Sequence, residues 1–264
     1  MKAQSQIPAV FISHGSPMLA VEPGEAVPAW AALAQSLPRP RAILVVSAHW
    51  ASTAPAVSSS AAPETIHDFY GFPSALYEIR YPAPGAVDLA SEITALVPGI
   101  RVDDKRGLDH GAWMPLRAMY GDADVPVIQL AVMPNQSPEF HYRLGQQLAP
   151  LLTTGILILS SGGLVHNLGD LVFEAPENSA KAYAAAFRDW FVDALNRRDL
   201  PALFDYRRLA PNAAQAHPTE EHLLPIFVAL GAAGENFATR IAYRGFTLGT
   251  LAMDCFAFDS GTPN

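Results

Sequence analysis

The chain carries a single cysteine, Cys255, among 264 residues. That excludes an internal disulfide and any cysteine-cluster metal site, and it fits a reducing compartment. Charge is scarce. Only 16% of residues are charged, against the usual quarter. The charge present runs acidic, with 17 basic against 25 acidic side chains and a formal net charge of -8. Nucleic acid and anionic membrane both require a basic face, so neither is expected as the main partner. No apolar run approaches the roughly 20 residues of a spanning helix. The opening "MKAQSQIPAVFISHG" has one lysine, an apolar run too short for a signal segment and no convincing cleavage site. A cytoplasmic location is expected. There is no Walker A loop and no G-x-G-x-x-G, so nucleotide binding has no signature.

What is present is apolar. Half the residues are hydrophobic and the mean hydropathy is +0.15, enough for a sizeable buried core. No internal repeat and no linker interrupts the chain, and one domain over residues 1–264 is expected. Four runs read as strands buried on both faces: "AVFIS", "AILVVSAHW" (42–50), "VPVIQLAVMPN" (125–135) and "GILILSSGG". Helical patterns lie between them, at 23–37, 85–97, 137–152, 179–199 and 217–234. Ser137 and Pro138 suit an N-cap and first helical position. In 179–199, Tyr183, Phe187, Trp190, Phe191 and Leu195 share one face. Pro225 reads as a kink in the 217–234 helix. Two late runs, 237–246 and 247–258, read as a final pair of strands. Residues 51–84, rich in Pro, Ser and aromatics, read as a long surface excursion of the kind that covers a site. The alternation predicts an α/β fold: three αβα layers on a mixed, largely parallel sheet.

Eight histidines punctuate this pattern, at 14, 49, 67, 110, 141, 166, 217 and 222. His14 and His49 each follow a predicted strand directly, and His166 follows a third after two glycines. Ligands of open α/β sheets bind outside the carboxyl ends of strands, so three distant histidines are expected at one edge. Imidazole suits zinc, iron, nickel and copper, which makes a metal site the leading reading. The others divide. His110 sits in "LDHGAWMPL", where Gly111 suggests a tight turn and Asp109 a group that could orient a ring. His217 and His222 are five apart, not the i, i+4 spacing of helical zinc motifs, so one of the two suffices as a ligand. His141 reads as solvated helix surface. His67, in "IHDFYGFP", either touches a bound aromatic ring or packs on Tyr70 and Phe72. Ser16, Ser160 and Ser161 are rival nucleophiles beside histidine, although the G-x-S-x-G elbow is missing.

Six segments in order, "SHGSP" (13–17), "VVSAHW" (45–50), "HDFYGFP" (67–73), "DHGAWMPL" (109–116), "SSGGLVHNL" (160–168) and "HPTEEHLLP" (217–225), resemble the class III extradiol aromatic ring-opening dioxygenases. Within them the DOPA 4,5-dioxygenase-like group is the nearest, over roughly residues 7 to 258. The resemblance implies a metal held by His14, His49 and His222, with His166 as an additional ligand or catalytic group. It implies His110 as an acid–base residue. His67 and His217 keep the readings their own positions give, His67 beside a bound ring or packed on aromatics and His217 as a helix cap or a group behind the ligands. It further implies Fe(II) for activity, Zn(II) as a plausible bound ion, and a small catechol and O2 as reactants. More distant protocatechuate enzymes place a glutamate where His222 stands. The rival reading is a zinc hydrolase using the same histidines to activate water. Arg80, Arg117 and Lys105 are available to a substrate carboxylate, and no feature of the sequence distinguishes any of them.

Overall fold

The computed structural model describes residues 6–261. The strands, in chain order, are β1 Ala9–Ser13, β2 Ala42–Ala51, β3 Ala56–Ser58, β4 Arg101–Asp103, β5 Val127–Val132, β6 Ile156–Gly162, β7 Ala238–Tyr243, β8 Phe246–Thr247, β9 Leu251–Ala252 and β10 Cys255–Asp259. Eight of them form one sheet in the order β4-β3-β5-β2-β6-β1-β10-β7. Its centre, β5-β2-β6-β1, is parallel throughout. Antiparallel pairs flank it, β3 against β5 and β10 against both β1 and β7.

The apolar runs become central strands because both sheet faces are covered. Along β1, Ala9 and Phe11 enter one core, while Val10 and Ile12 enter the other. Alternate side chains of a strand point to opposite faces, so a strand apolar at every position needs two covering layers. The first layer holds the helices Val87–Leu96, Pro138–Leu148, Ala182–Arg197 and Leu224–Ala233. The second holds Ala26–Ser36 and His110–Met119. The three-layer α/β expectation is met.

Helix Leu224–Ala233 is buried all round and packs backbone to backbone on Pro138–Leu148. A Cβ at Gly231 would stand 1.9 Å from the Tyr142 carbonyl oxygen, and one at Gly145 would stand 2.2 Å from that of Val228. Only glycine permits that approach.

Several expectations are corrected. Pro225 does not kink a helix. It occupies the first turn of one that starts at Leu224, where its missing N–H costs nothing. Residues 217–223 precede that helix as turn and bend. The stretch 51–84 is more than an excursion, since it adds β3 to the sheet and the short helix Ser74–Glu78. The late pair is β7 and β10, with a separate two-stranded sheet, β8 and β9, between them in sequence. Asp109 and Gly111 do not form a loop. Asp109 caps the helix His110–Met119, accepting the Ala112 N–H at 3.2 Å. Trp190 does share the apolar face of its helix, packing half-buried against the first core.

His141 is fully buried rather than solvated. Its Nε2 accepts the Met133 N–H at 3.1 Å, so Nδ1 carries the proton and donates to the Ser137 carbonyl at 2.9 Å. Burial pushes its pKa down to about 4, against a weaker opposing effect of the Ser137 bond. The unfolded ring, with an ordinary value of 6.5, takes a proton that the folded ring refuses. Its contribution is therefore complete above pH 6.5 and eroded as pH falls toward 4, by about 3 kcal/mol. Urea unfolding of His141→Leu between pH 4.5 and 7.5 should show lower stability with a shallower pH slope, by up to one proton. An unchanged slope would mean that the ring titrates alike in both states.

Candidate metal centre

The site forms where β1, β2 and β6 end together. Their register aligns Ile12 with Ser161, Ser13 with Gly162 and Ser47 with Ser161. The His14 N–H donates to the Gly162 carbonyl at 2.9 Å, and the chain then turns at Gly15 with φ +65°. That backbone conformation favours glycine; a Cβ there would also lie 2.6 Å from Met253 Cε, the movable end of a flexible side chain. His49 lies inside the recorded span of β2 rather than past it. The pairing of β2 with β5 breaks between Ser47 and Ala51, which frees this part of the strand to turn its ring inward. His222 arrives from the turn before helix Leu224–Ala233. Its carbonyl accepts the Gly163 N–H at 2.8 Å, and a Cβ on Gly162 would stand 2.0 Å from the same oxygen.

Three rings meet through their Nε2 atoms. His14 and His49 are 3.0 Å apart there, and His49 and His222 are 3.3 Å apart. The Nδ1 atoms all face outward to partners. His222 Nδ1 lies 3.0 Å from Glu221 Oε1, and His49 Nδ1 lies 3.3 Å from Asp68 Oδ2. His14 Nδ1 lies 2.9 Å from Ser161 Oγ. The Ser161 hydroxyl donates to the Gly111 carbonyl, so it must accept from His14. That carbonyl is available because Pro115, four residues on in the same helix, has no N–H to give it. Each ring thus keeps its proton on Nδ1 and turns a lone pair inward.

Burial keeps these rings neutral. It pushes His14 and His222 well below the ordinary imidazole range, and the neighbouring rings push the same way. His49 falls to about 4 through burial and then His110, although Asp109 and Asp68 oppose the shift. Three neutral lone pairs at such separations repel unless a cation lies among them. Metal–nitrogen bonds of about 2.1 Å place adjacent donors about 3.0 Å apart in an octahedron and about 3.4 Å apart in a tetrahedron. The donor set and its spacing fit a divalent ion.

His110 and His166 flank this trio. His110 opens its helix, and Asp68 Oδ1 accepts both its backbone N–H at 2.9 Å and its Nδ1–H at 3.0 Å. Its ring centroid is 4.0 Å from that of His49. Burial alone would raise the Asp68 carboxyl, but the His110 bonds and the charges of His110 and His49 outweigh it and hold it near 2. His166 stacks on His222 at 3.5 Å and 6°, outside the Nε2 trio. Burial, then His49, pushes it down to about 4. These five histidines line one cavity of about 840 Å³.

The remaining candidates lie elsewhere. His67 is not on the cavity wall. It donates to the Ile79 carbonyl at 3.1 Å and packs edge-on against Phe69, which is on the wall. Tyr70, expected as a packing partner, is 92% exposed. His217 is buried behind the site and donates to the Leu164 carbonyl at 2.9 Å. Asp109 serves the scaffold, bound by Ser47, Arg106 and Gln129 at 2.6, 2.7 and 2.8 Å, and does not orient His110. The Ser16 hydroxyl accepts the Met18 N–H, Ser161 is committed to Gly111 and His14, and Ser160 is fully buried. None of these three serines is poised as a nucleophile.

Asp68 escaped the sequence reading. Its signal was present in "HDFYGFP", one position from the histidine that drew attention. Since its two oxygens orient His49 and His110, Asp68→Asn should weaken metal binding by about 10- to 100-fold. Competition against a chromogenic chelator measures this. Unchanged affinity would show that the carboxylate does not support the donor set.

A family model, the catalytic LigB subunit of aromatic ring-opening dioxygenase, matches residues 8–250. The chain is 40% identical over 259 residues to a protein of Beta vulgaris named 4,5-DOPA dioxygenase extradiol, covering 95% of this chain and 96% of that one. A protein of the same name from Escherichia coli K12 is 36% identical over 260 residues, covering 95% and 94%. The crystal structure of an uncharacterized Escherichia coli K12 protein superposes with a TM-score of 0.79 at 30% identity, over 96% of this chain and 99% of that one. By its sequence over nearly its whole length, this chain belongs to the LigB family of aromatic ring-opening dioxygenase catalytic subunits.

Proposed function

We propose that the protein is an extradiol dioxygenase acting on a small, DOPA-like or related catechol, opening its ring beside the diol with O2 as co-substrate. The observation that carries this reading is the convergence of three inward Nε2 atoms beside a fourth ring, His110, held by its own carboxylate. Catalysis rests on residues 1–264 acting as one domain, and the protein works in the cytoplasm. No helix among the described residues is long and apolar enough to cross a membrane.

His14, His49 and His222 hold the ion, Fe(II) for turnover. Zn(II) suits the same donors and is the ion expected after aerobic purification. When bound, iron supplies a shared site for catechol and O2 and the one-electron chemistry that lets them react. Both oxygen atoms enter the product, so no external reductant is needed.

The protein's part is proton handling and exclusion of water. With its Nδ1–H on Asp68, His110 turns Nε2 to the cavity and takes a catechol hydroxyl proton. Asp68, ionised, stabilises the imidazolium so formed. That proton is returned to substrate oxygen as the ring opens. His166, stacked on His222 and lowered to about 4 by burial, is a second proton acceptor on the cavity wall. It serves as acid–base group or as an added ligand when zinc is bound. Phe69 lies edge-on to His110 at 5.6 Å and, with Phe72, gives the reacting ring an apolar wall. His67 backs Phe69 and His217 backs the ligand loop, and neither meets the substrate. A zinc hydrolase has no comparable observation in its favour.

Protein reconstituted anaerobically with Fe(II), then given catechols and air, should consume oxygen and form yellow ring-opened products. No uptake with any catechol would sink the dioxygenase reading. His110→Ala should keep its metal and lose about 10²- to 10⁴-fold in turnover. Full activity with metal retained would remove His110 from proton transfer.

A further inference from the structure

The cavity of about 840 Å³ is much larger than a catechol ring. Its floor is the buried group of His14, His110 and His222. Its mouth is marked by exposure: Leu168 is 59% and Phe173 75% exposed, and both line it. A catechol with its oxygens at the floor must therefore send its ring substituent along an apolar wall that includes Met18, Leu171 and Leu251. This placement rests on the dioxygenase reading.

The charges along that path are of one sign. Among the described residues, no lysine or arginine lines the cavity. The cations that a substrate carboxylate would seek are spent elsewhere. Arg80 donates to the carbonyls of Tyr77 and Ile79 at 2.7 and 2.8 Å. Arg117 donates to the Ala20 carbonyl at 2.9 Å, and Lys105 lies off the wall. Three carboxylates do line it: Asp68 near the floor, and Glu22 and Glu177, both exposed. Asp68 is committed to His49 and His110. Glu177 accepts only a long bond of 3.4 Å from the Thr247 hydroxyl. Neither Glu22 nor Glu177 is ion-paired among the described residues.

We propose that this cavity selects catechols whose side chain ends in a protonated amine over those ending in a carboxylate, with Glu22 and Glu177 reading the tail. An anionic tail would lose its water against an apolar wall with no cation to meet it. It would also face carboxylates at the mouth. A cationic tail directed toward the mouth would instead be drawn to those carboxylates, a gain that salt partly screens. Repulsion of the wrong tail supplies most of the discrimination.

Three probes of similar length test this: 2-(3,4-dihydroxyphenyl)ethylamine, 4-ethylcatechol and 3-(3,4-dihydroxyphenyl)propionate. Binding is measured by anaerobic calorimetry on the full chain loaded with zinc, at low ionic strength. The amine should bind at least tenfold more tightly than the propionate. In Glu22→Gln/Glu177→Gln, the amine's advantage over the neutral probe should fall at least threefold. Equal or tighter binding of the propionate overturns the selectivity. An unchanged amine-to-neutral ratio in the double variant overturns the role of the two glutamates. The ratio of kcat/KM values for the iron-loaded protein should follow the same order. Absence of oxygen uptake with all three probes would count against ring opening, and the binding ratio would still decide the tail preference.

Discussion

Everything at the centre depends on the shared register of three parallel strands. β6 pairs with β1 on one side and β2 on the other, and Ser161 aligns with both Ile12 and Ser47. Residues that leave these strands therefore leave at one level. His14 and His49 are 35 positions apart in sequence yet meet at 3.0 Å. A slip of one residue in either pairing would exchange the side chains each core receives, such as Phe11 for Val10 or Ile12, and lose their fitted packing. The cores on both faces resist that slip, so the force that builds the sheet also sets the spacing of the candidate ligands.

Burial then gives the rings their chemistry. Histidines in water would be protonated part of the time at neutral pH. Here desolvation opposes the charge on every ring of the trio, and neighbouring imidazoles add to it. The same burial requires each Nδ1–H to find a partner, and Ser161, Asp68 and Glu221 meet that need. Neutral donors with fixed protons are what a metal site requires, and desolvation with hydrogen bonding provides both.

The sheet and the strand-end histidines were legible because they follow from local pattern. Continuous apolar runs specify two-sided burial, and a polar residue after such a run lies at an edge. The choice of His222 over His217 rested on resemblance, since spacing leaves both open. Asp68 was not legible because its value comes from His110, 42 residues away, returning to it. The burial of His141 is not legible, because helical pattern shows which face a residue occupies but not that the chain at Met133 lies over it. The helix His110–Met119 is not legible because Gly111 and Pro115 both argue against helix. Gly111 is there for a close approach. A Cβ at position 111 would lie 2.6 Å from Ser47 Oγ and 3.0 Å from His49 Cδ2.

Pro115 shows how a ligand can be set by a residue that is not beside it. By withholding a hydrogen from its own helix, it leaves the Gly111 carbonyl unclaimed. Ser161 fills that vacancy from another strand, and its hydroxyl is thereby turned to receive the His14 proton. The imidazole tautomer is thus written by a ring that carries no charge, no hydrogen-bond donor and no side-chain polarity. In this fold a break in one ladder of bonds serves as an instruction to another element. A defect in helix grammar is where the candidate metal centre takes its orientation.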